Sequence, residues 1–161
     1  MDKITENRVA LLHPSIRKEI TDLVNKANAQ LTTHSTIRIV QGLRTFPEQD
    51  ALYAQGRTTP GKKITNAKGG QSIHNYGLAI DFALLIDGKE ISWDINKDWD
   101  NDKVADWMEV VKVFKDVGYT FGGDWRTFKD YPHIEKRGDW KNLLVKYNAK
   151  DFIPGTKYLN L

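Results

Sequence analysis

The chain has 161 residues, 40% of them hydrophobic and 28% charged, a composition that can bury a core and excludes a disordered or fibrous polypeptide. Its 24 basic and 21 acidic side chains leave a net charge of +3, too even a balance for a nucleic-acid binder and compatible with weak attraction to an anionic polymer. It has no cysteine, which excludes disulfides, thiolate metal sites and a thiol nucleophile, so any metal ligand must be His, Asp or Glu.

The opening MDKITENRVALLHP lacks the charged start, apolar core and small-residue cleavage site of an export signal. No stretch approaches the roughly 20 apolar residues that span a bilayer. The expectation is a protein with no membrane insertion and no export signal, cytoplasmic until something else releases it. A first amphipathic helix is expected over residues 14–31, with Pro14 at its start and Ile16, Ile20, Leu23, Val24, Ala27 and Leu31 at helical spacing. Thr36 to Gln41 alternates, with Ile37 and Ile39 on one face, and reads as a strand. Thr45 and Glu48 form a capping-box pattern with Pro47 in the first turn, which predicts a short helix from Phe46 to Gln55.

Residues 56–73 are rich in glycine (Gly56, Gly61, Gly69, Gly70) and polar groups and read as a long loop, a kind of segment that often carries function. Residues 79–86 form the clearest strand, with Ile80, Phe82, Leu84 and Ile86 on one face and Ala79, Asp81, Ala83 and Leu85 on the other. Asp87-Gly88 is a hairpin turn, and Glu90 to Trp93 is the return strand. A second amphipathic helix is expected over 103–117, with Val104, Trp107, Met108, Val111 and Phe114 on one face and Gly118 as its C-cap. Tyr119 to Phe121 and the stretch from Tyr131 to Ile134 are short strand candidates. From Gly138 the tail shows no clear repeat. Helices and strands mix without a βαβα rhythm, so the class is α+β, an antiparallel sheet with flanking helices, in one domain spanning 1–161. Its motif-bearing core covers about 13–135, with the tail 136–161 packed on it.

Of the four histidines, His13 before Pro14 and His34 in a polar turn read as exposed and structural. His74 differs. It lies seven residues before Asp81, a spacing of about 10.5 Å along a helix, too far for one small ion. In a straight strand the two residues would face opposite sides. A bend at Gly77 lets His74 fold back toward Asp81, whose neighbours on its own face, Ala79 and Ala83, leave room for an ion. Asp81 in so apolar a strand needs a partner. His133, in Asp130-Tyr131-Pro132-His133, is the candidate third ligand of a His₂-carboxylate set, which leaves zinc an open position for water. On spacing alone, a structural hydrogen-bonded pair of His74 and Asp81 is the slightly favoured alternative.

The segment Ser72 to Asp81 resembles the S-x-H-x-x-G-x-A-x-D signature of zinc peptidases related to D-Ala-D-Ala carboxypeptidases, whose fold is shared with the hedgehog signalling domain. Gly42 to Gln49, Gly122-Gly123-Asp124-Trp125 and Asp130 to His133 match further segments in the same order, so the resemblance runs from about His13 to Glu135. The wording of the later segments is most similar to the L-alanyl-D-glutamate endopeptidases of bacterial wall hydrolases and phage endolysins. That resemblance implies Zn²⁺ on His74, Asp81 and His133, Asp130 as catalytic base and Arg44 as the oxyanion donor. Many relatives carry Glu where this chain has the shorter Asp130. Gln49 and Ser72 resemble positions lining the same site, where they could bind substrate carbonyls or orient Arg44. Asp124 is expected to bond the outer nitrogen of a ligand histidine, with the base as its alternative role. Glu135 shares the strand face of His133 and reads either as a group bonded behind that ligand or as neutral. Trp125 and Tyr76 are candidate walls or core aromatics.

The resemblance implies a zinc-dependent peptidoglycan peptidase, monomeric, acting on the stem peptide, with L-Ala-D-Glu as the bond. The alternatives are a D-Ala-D-Ala carboxypeptidase and a catalytically inactive zinc-bearing wall-binding module. Separately, Asp98, Asp100, Asp102, Asp106 and Glu109 occupy positions 1, 3, 5, 9 and 12 of a twelve-residue window, the ligand spacing of an EF-hand-type Ca²⁺ loop. Lys103 stands at position 6, where that turn prefers Gly. The competing reading is that Asp100 and Asp102 cap the following helix.

Overall fold

The computed structural model describes residues 1–136 and 138–161. It is α+β, an antiparallel sheet flanked by helices, as the mixed rhythm of the sequence implies. Helix α1 (Lys3–Ala10) begins at Asp2, whose carboxylate accepts from Ile4 N and Thr5 N. Helix α2 (Pro14–Gln30) buries Ile16, Ile20, Leu23, Val24 and Ala27, the stripe its spacing announces. Strand β1 (Ser35–Gln41) and helix α3 (Phe46–Ala54) follow, and the capping box between Thr45 and Glu48 is formed in both directions.

Strand β2 (Ala79–Ile86) is the sheet's centre and is buried almost throughout. It pairs with β1 along one edge. Its other edge is shared by β3 (Glu90–Ser92), opposite Leu84 to Ile86, and β5 (His133–Glu135), opposite Ala79 to Asp81. Strand β4 (Thr120–Phe121) closes the order β1-β2-β5-β4. Ile80, Phe82 and Leu84 point into a core completed by α2, by Trp107, Val110, Val111 and Phe114 of α4 (Asp106–Lys115), and by Ile134. Asp81 therefore points to the opposite face, since successive strand side chains alternate. Among the described residues, no helix is long and apolar enough to cross a membrane.

Several details differ from the sequence reading. Helix α4 starts at Asp106, not at 103, and Val104 and Met108 are exposed, so its buried stripe is Trp107, Val110, Val111 and Phe114. Two helices were not anticipated, α1 and α5 (Trp140–Asn148), and α5 lies in the tail. His13 is not exposed. It is buried at the start of α2, with Nδ1 bonded to Ser15 and Nε2 2.8 Å from the carbonyl of Leu159. That bond draws the tail onto the body of the fold. Asp100 and Asp102 do not cap α4, whose N-cap is Ala105 with no side-chain bond.

Gly77 is the hinge the site requires. At φ 69° and ψ 24° it caps the short 3₁₀ turn Ile73–Tyr76, and its N–H returns to the carbonyl of His74. Its own carbonyl accepts from His13 N at 2.9 Å, so two backbones meet there, and a Cβ on Gly77 would lie 2.7 Å from His13 N. Gly88, at φ 68°, faces open space. Gly88→Ala is expected to cost about 1 kcal/mol, the penalty of a left-handed backbone alone. Gly77→Ala should cost clearly more, because the backbone contact must also give way. Urea unfolding of the two variants checks this, and equal losses would mean that the contact at Gly77 is easily relaxed.

Candidate metal centre and catalytic cleft

Three elements meet above the Asp81 face of the sheet. Asp81 stands on β2, and His133 on β5 is its cross-strand partner in the register. His74 comes from the 3₁₀ turn, folded back by Gly77. The chain leaving β1 supplies the fourth wall. The β1–β2 register shifts between Ile39 and Gln41, an irregularity that turns Gly42, Leu43 and Arg44 over the site.

The polar atoms converge. His74 Nε2 and His133 Nδ1 each lie 3.2 Å from Asp81 Oδ1, and they lie 3.2 Å from one another. The remaining nitrogens are occupied. His74 Nδ1 is 2.8 Å from the carbonyl of Gly42, and His133 Nε2 is 2.7 Å from Glu135 Oε2. Both partners are acceptors, so both outer nitrogens carry the proton. In their neutral forms the two rings then aim bare lone pairs at one point beside a carboxylate. That arrangement is repulsive unless a proton or a cation stands between them. His74, Asp81 and His133 accordingly form a set whose ligand atoms fit a single metal ion.

The charges around this point are strongly shifted. Burial alone would raise Asp81, but the charge of His74 and hydrogen bonds from His133 and His74 hold its carboxyl far below the usual carboxylate range. Burial alone would lower His133, yet its bonds to Asp81 and Glu135 raise it to about 9. With no cation bound, these bonds favour the protonated form of His133.

The cleft around the centre, about 1020 Å³, is lined by Arg44, Ser72, Trp125 and Asp130 among others. Arg44 Nη1 donates to Gln49 Oε1 at 2.9 Å, and Nη2 lies 3.6 Å from Asp81 Oδ2. The guanidinium is thus held beside the centre by a fixed partner. Asp130 precedes a turn in which its carbonyl accepts from His133 N. The turn packs so closely on Gly122 that a Cβ there would strike the Asp130 carbonyl. Burial and the nearby Asp81 push the Asp130 carboxyl above its ordinary value, against the pull of His133, His74 and Arg44. Trp125 sets its ring 5.1 Å from that of His133.

The sequence reading needs correction at two residues, Gln49 and Asp124. Gln49 is fully buried, with Nε2 on the Ala67 carbonyl and Oε1 on Arg44, so it supports Arg44 rather than touching substrate. Asp124 is exposed and pairs with Lys115, so it is not the partner of a ligand histidine; Glu135 and the Gly42 carbonyl take that place. Of the two readings open for Tyr76 the core one holds, with its hydroxyl donating to the Gly70 carbonyl. Ser72 lines the cleft and accepts from His74 N at 3.3 Å, which ties it to the turn that carries His74. The Gly42 carbonyl was not foreseen, since a backbone acceptor leaves no mark in residue type.

The acidic segment sits apart from this cleft. Asp98, Asp100 and Asp106, and again Asp100, Asp102 and Glu109, bring carboxylate oxygens within 4.8 Å of one another. Lys103 adopts φ 78°, the left-handed turn that position 6 of a calcium loop needs. Asp106 is fully buried and spoken for by Trp99 N and Ser35. Glu109 Oε2 is buried without a hydrogen-bond partner. Burial, then Asp102, Asp100, Asp106 and Asp98, push the Glu109 carboxyl up to about 7.

Residues 65–136 match the model of a peptidase family described as D-alanyl-D-alanine carboxypeptidase. Over 124 residues the chain is 48% identical to the peptidoglycan L-alanyl-D-glutamate endopeptidase CwlK of Bacillus subtilis (strain 168), covering 77% of this chain and 72% of CwlK. Its fold is similar to that of the L-Ala D-Glu endopeptidase ChiX of Serratia marcescens. The TM-score is 0.56 at 18% identity, over 89% of this chain and 92% of that one.

The proton at the centre gives a measurable pH dependence. His133 is raised above its ordinary value of 6.5, so its stabilisation of the metal-free fold is complete below about pH 6.5 and is lost as pH rises through about 9. Urea unfolding of chelator-treated protein is expected to show stability declining across that window, and His133→Gln should remove the decline. A wild-type profile that matches the variant's would show that His133 is not held protonated.

Proposed function

The chain belongs to the M15 peptidase family, that of the D-alanyl-D-alanine carboxypeptidases, and we propose that it is a zinc-dependent endopeptidase hydrolysing the L-Ala-D-Glu bond of the peptidoglycan stem peptide. The observation that carries this reading is the pair of histidine lone pairs meeting at Asp81, in a cleft that also holds Arg44 and Asp130. Identity of 48% to an endopeptidase of that specificity favours the L-Ala-D-Glu bond over terminal D-Ala-D-Ala. An inactive wall-binding module would have no use for a half-buried guanidinium held by Gln49 and a second, raised carboxyl beside the metal set.

His74 Nε2, Asp81 and His133 Nδ1 would hold the zinc, whose two nitrogen and one carboxylate donors suit that ion. When bound, zinc polarises a carbonyl oxygen and acidifies water at neutral pH. Asp130 takes the proton from the attacking water and returns it to the leaving amine. Its raised carboxyl brings its proton affinity closer to that needed near neutral pH. Arg44, steadied by Gln49, offers charged donors to the oxygen on which negative charge develops. Ser72 and Trp125 shape the cleft walls beside the scissile bond.

A calcium site in the loop Asp98–Glu109 is a second reading, favoured by one observation: the buried, unpartnered Glu109 Oε2 facing a cluster of aspartates. A divalent cation there would relieve the repulsion that pushes Glu109 to about 7. It would use Glu109 as the position-12 ligand and the positive φ of Lys103 as the turn.

Three measurements check these readings. Chelation should abolish release of peptide fragments from purified peptidoglycan and zinc should restore it, with mass spectrometry showing new D-Glu amino termini. Loss of terminal D-Ala alone would instead assign the carboxypeptidase activity. Asp130→Asn should keep bound zinc and lower turnover by roughly 10²–10⁴-fold; near wild-type turnover would remove Asp130 from the chemistry. Calcium at millimolar concentration, with zinc constant, should raise the melting temperature of the wild type and not of Glu109→Gln, and no shift in the wild type eliminates that site.

A further inference from the structure

The two histidines of the centre present different nitrogens to it, and each depends on its outer partner to do so. His74 offers Nε2 because Nδ1–H is committed to the Gly42 carbonyl, a backbone acceptor that substitution cannot remove. His133 offers Nδ1, and the group opposite its Nε2 is a side chain, Glu135, at 2.7 Å. We propose that Glu135 is a positioning residue that fixes the His133 tautomer, holding the proton on Nε2 so that the Nδ1 lone pair is kept for the metal. This rests on the zinc reading above and adds a residue that the reading does not need for chemistry.

The placement follows from the sheet. Glu135 is two residues beyond His133 on β5, so both project from the same face. In the register, His133 lies opposite Asp81 and Glu135 opposite Ala79. The methyl of Ala79 leaves the space over which the His133–Glu135 pair lies flat along the strand. The pair is well shielded, with side-chain exposures of 7% for His133 and 16% for Glu135, so water competes poorly for the bond. On its other side β5 is fixed by β4, where Thr120 is opposite Glu135.

The division of labour around the ring is specific. Trp125 lies against the His133 ring, with centroids 5.1 Å apart, and restrains its plane. A neighbouring ring tilted by 46° offers Nε2 no acceptor and so does not choose between tautomers. Without an acceptor at Nε2, the imidazole can carry its proton on Nδ1 and present N–H to the centre, where it repels a cation. An anionic acceptor also raises the basicity of the opposite nitrogen, the known consequence of a carboxylate behind a ligand histidine.

The test is zinc affinity, measured by competition with a chromophoric chelator, together with ¹⁵N NMR of the His133 ring in the zinc-loaded protein. Glu135→Ala is expected to weaken zinc roughly 10–100-fold and to speed exchange of the Nε2 proton. Glu135→Gln, which keeps an acceptor oxygen and the shape, should fall between Ala and wild type. Glu135→Met, which keeps the length and removes the acceptor, decides the matter if Glu135→Ala does not fold. Wild-type zinc affinity and an unchanged Nε2 proton in Glu135→Ala or Glu135→Met would overturn the proposal. So would turnover lost by either variant at full zinc occupancy with unchanged affinity, which would make Glu135 a substrate contact. If the wild type itself bound no zinc, the zinc reading would fall first, and that outcome is distinct from variants equal to a zinc-binding wild type.

Discussion

Two imidazole nitrogens 3.2 Å apart, both aimed at the same carboxylate oxygen, are the constraint around which this molecule is arranged. Left neutral, they repel. Each feature that brings them together must be rigid enough to hold them against that repulsion. The central strand holds Asp81 by pairing on both edges. Strand β5 is only three residues long but is paired on both sides, which fixes His133 directly opposite. The 3₁₀ turn carries His74 with its own capping box from Ser72 to Asn75, and Asn75 also donates to the Arg44 carbonyl. The Arg44 loop and the His74 turn are therefore one unit, stitched further by the bond from Arg44 N to the His74 carbonyl.

Charge is layered outward from this point. Asp81 stays ionised, and its second oxygen faces Arg44. Arg44 is restrained by Gln49, which is in turn held by the Ala67 carbonyl of the long loop. The glycine-rich segment read as a functional loop serves in part as the buttress of an arginine. Gly69 N donates to Asp50 and Gly70 N to Asn75, so the loop is tied to α3 and to the His74 turn. Preorganisation of this kind is what lets a guanidinium act on developing charge without first reorienting.

Much of this was legible in the sequence because it rests on local rules. The capping box at Thr45, the strand at 79–86 and the bend at Gly77 follow from residue type and spacing. Helices α1 and α5 were not legible, because α1 buries only Thr5 and Val9, and α5 only Leu143, leaving no apolar stripe to count. His13 was misread for a different reason: its partner is 146 residues away, at Leu159. Asp124 and Glu135 show the same contrast. The i, i+2 relation of Glu135 to His133 is written in the strand. The capture of Asp124 by Lys115 depends on how α4 docks. The burial of Gln49 behind Arg44 depends on a loop whose path no periodicity reveals.

The His13 junction links the far end of the chain to the centre. The Leu159 carbonyl accepts from His13, His13 N–H donates to the Gly77 carbonyl, and Gly77 sets the turn that delivers His74. Tyr158 adds a bond to the Leu11 carbonyl, and Lys146 one to the Asn160 carbonyl. Residues 146 apart in the chain, Leu159 and His13, are thus consecutive links in space. Loss of Leu159 would remove a structural partner of the residue beside the hinge. The aim of a ligand histidine thus depends on a segment, 158–160, that touches neither the cleft nor the sheet strand bearing Asp81, so a change there would be felt as a loosened centre before it was felt as a lost surface contact.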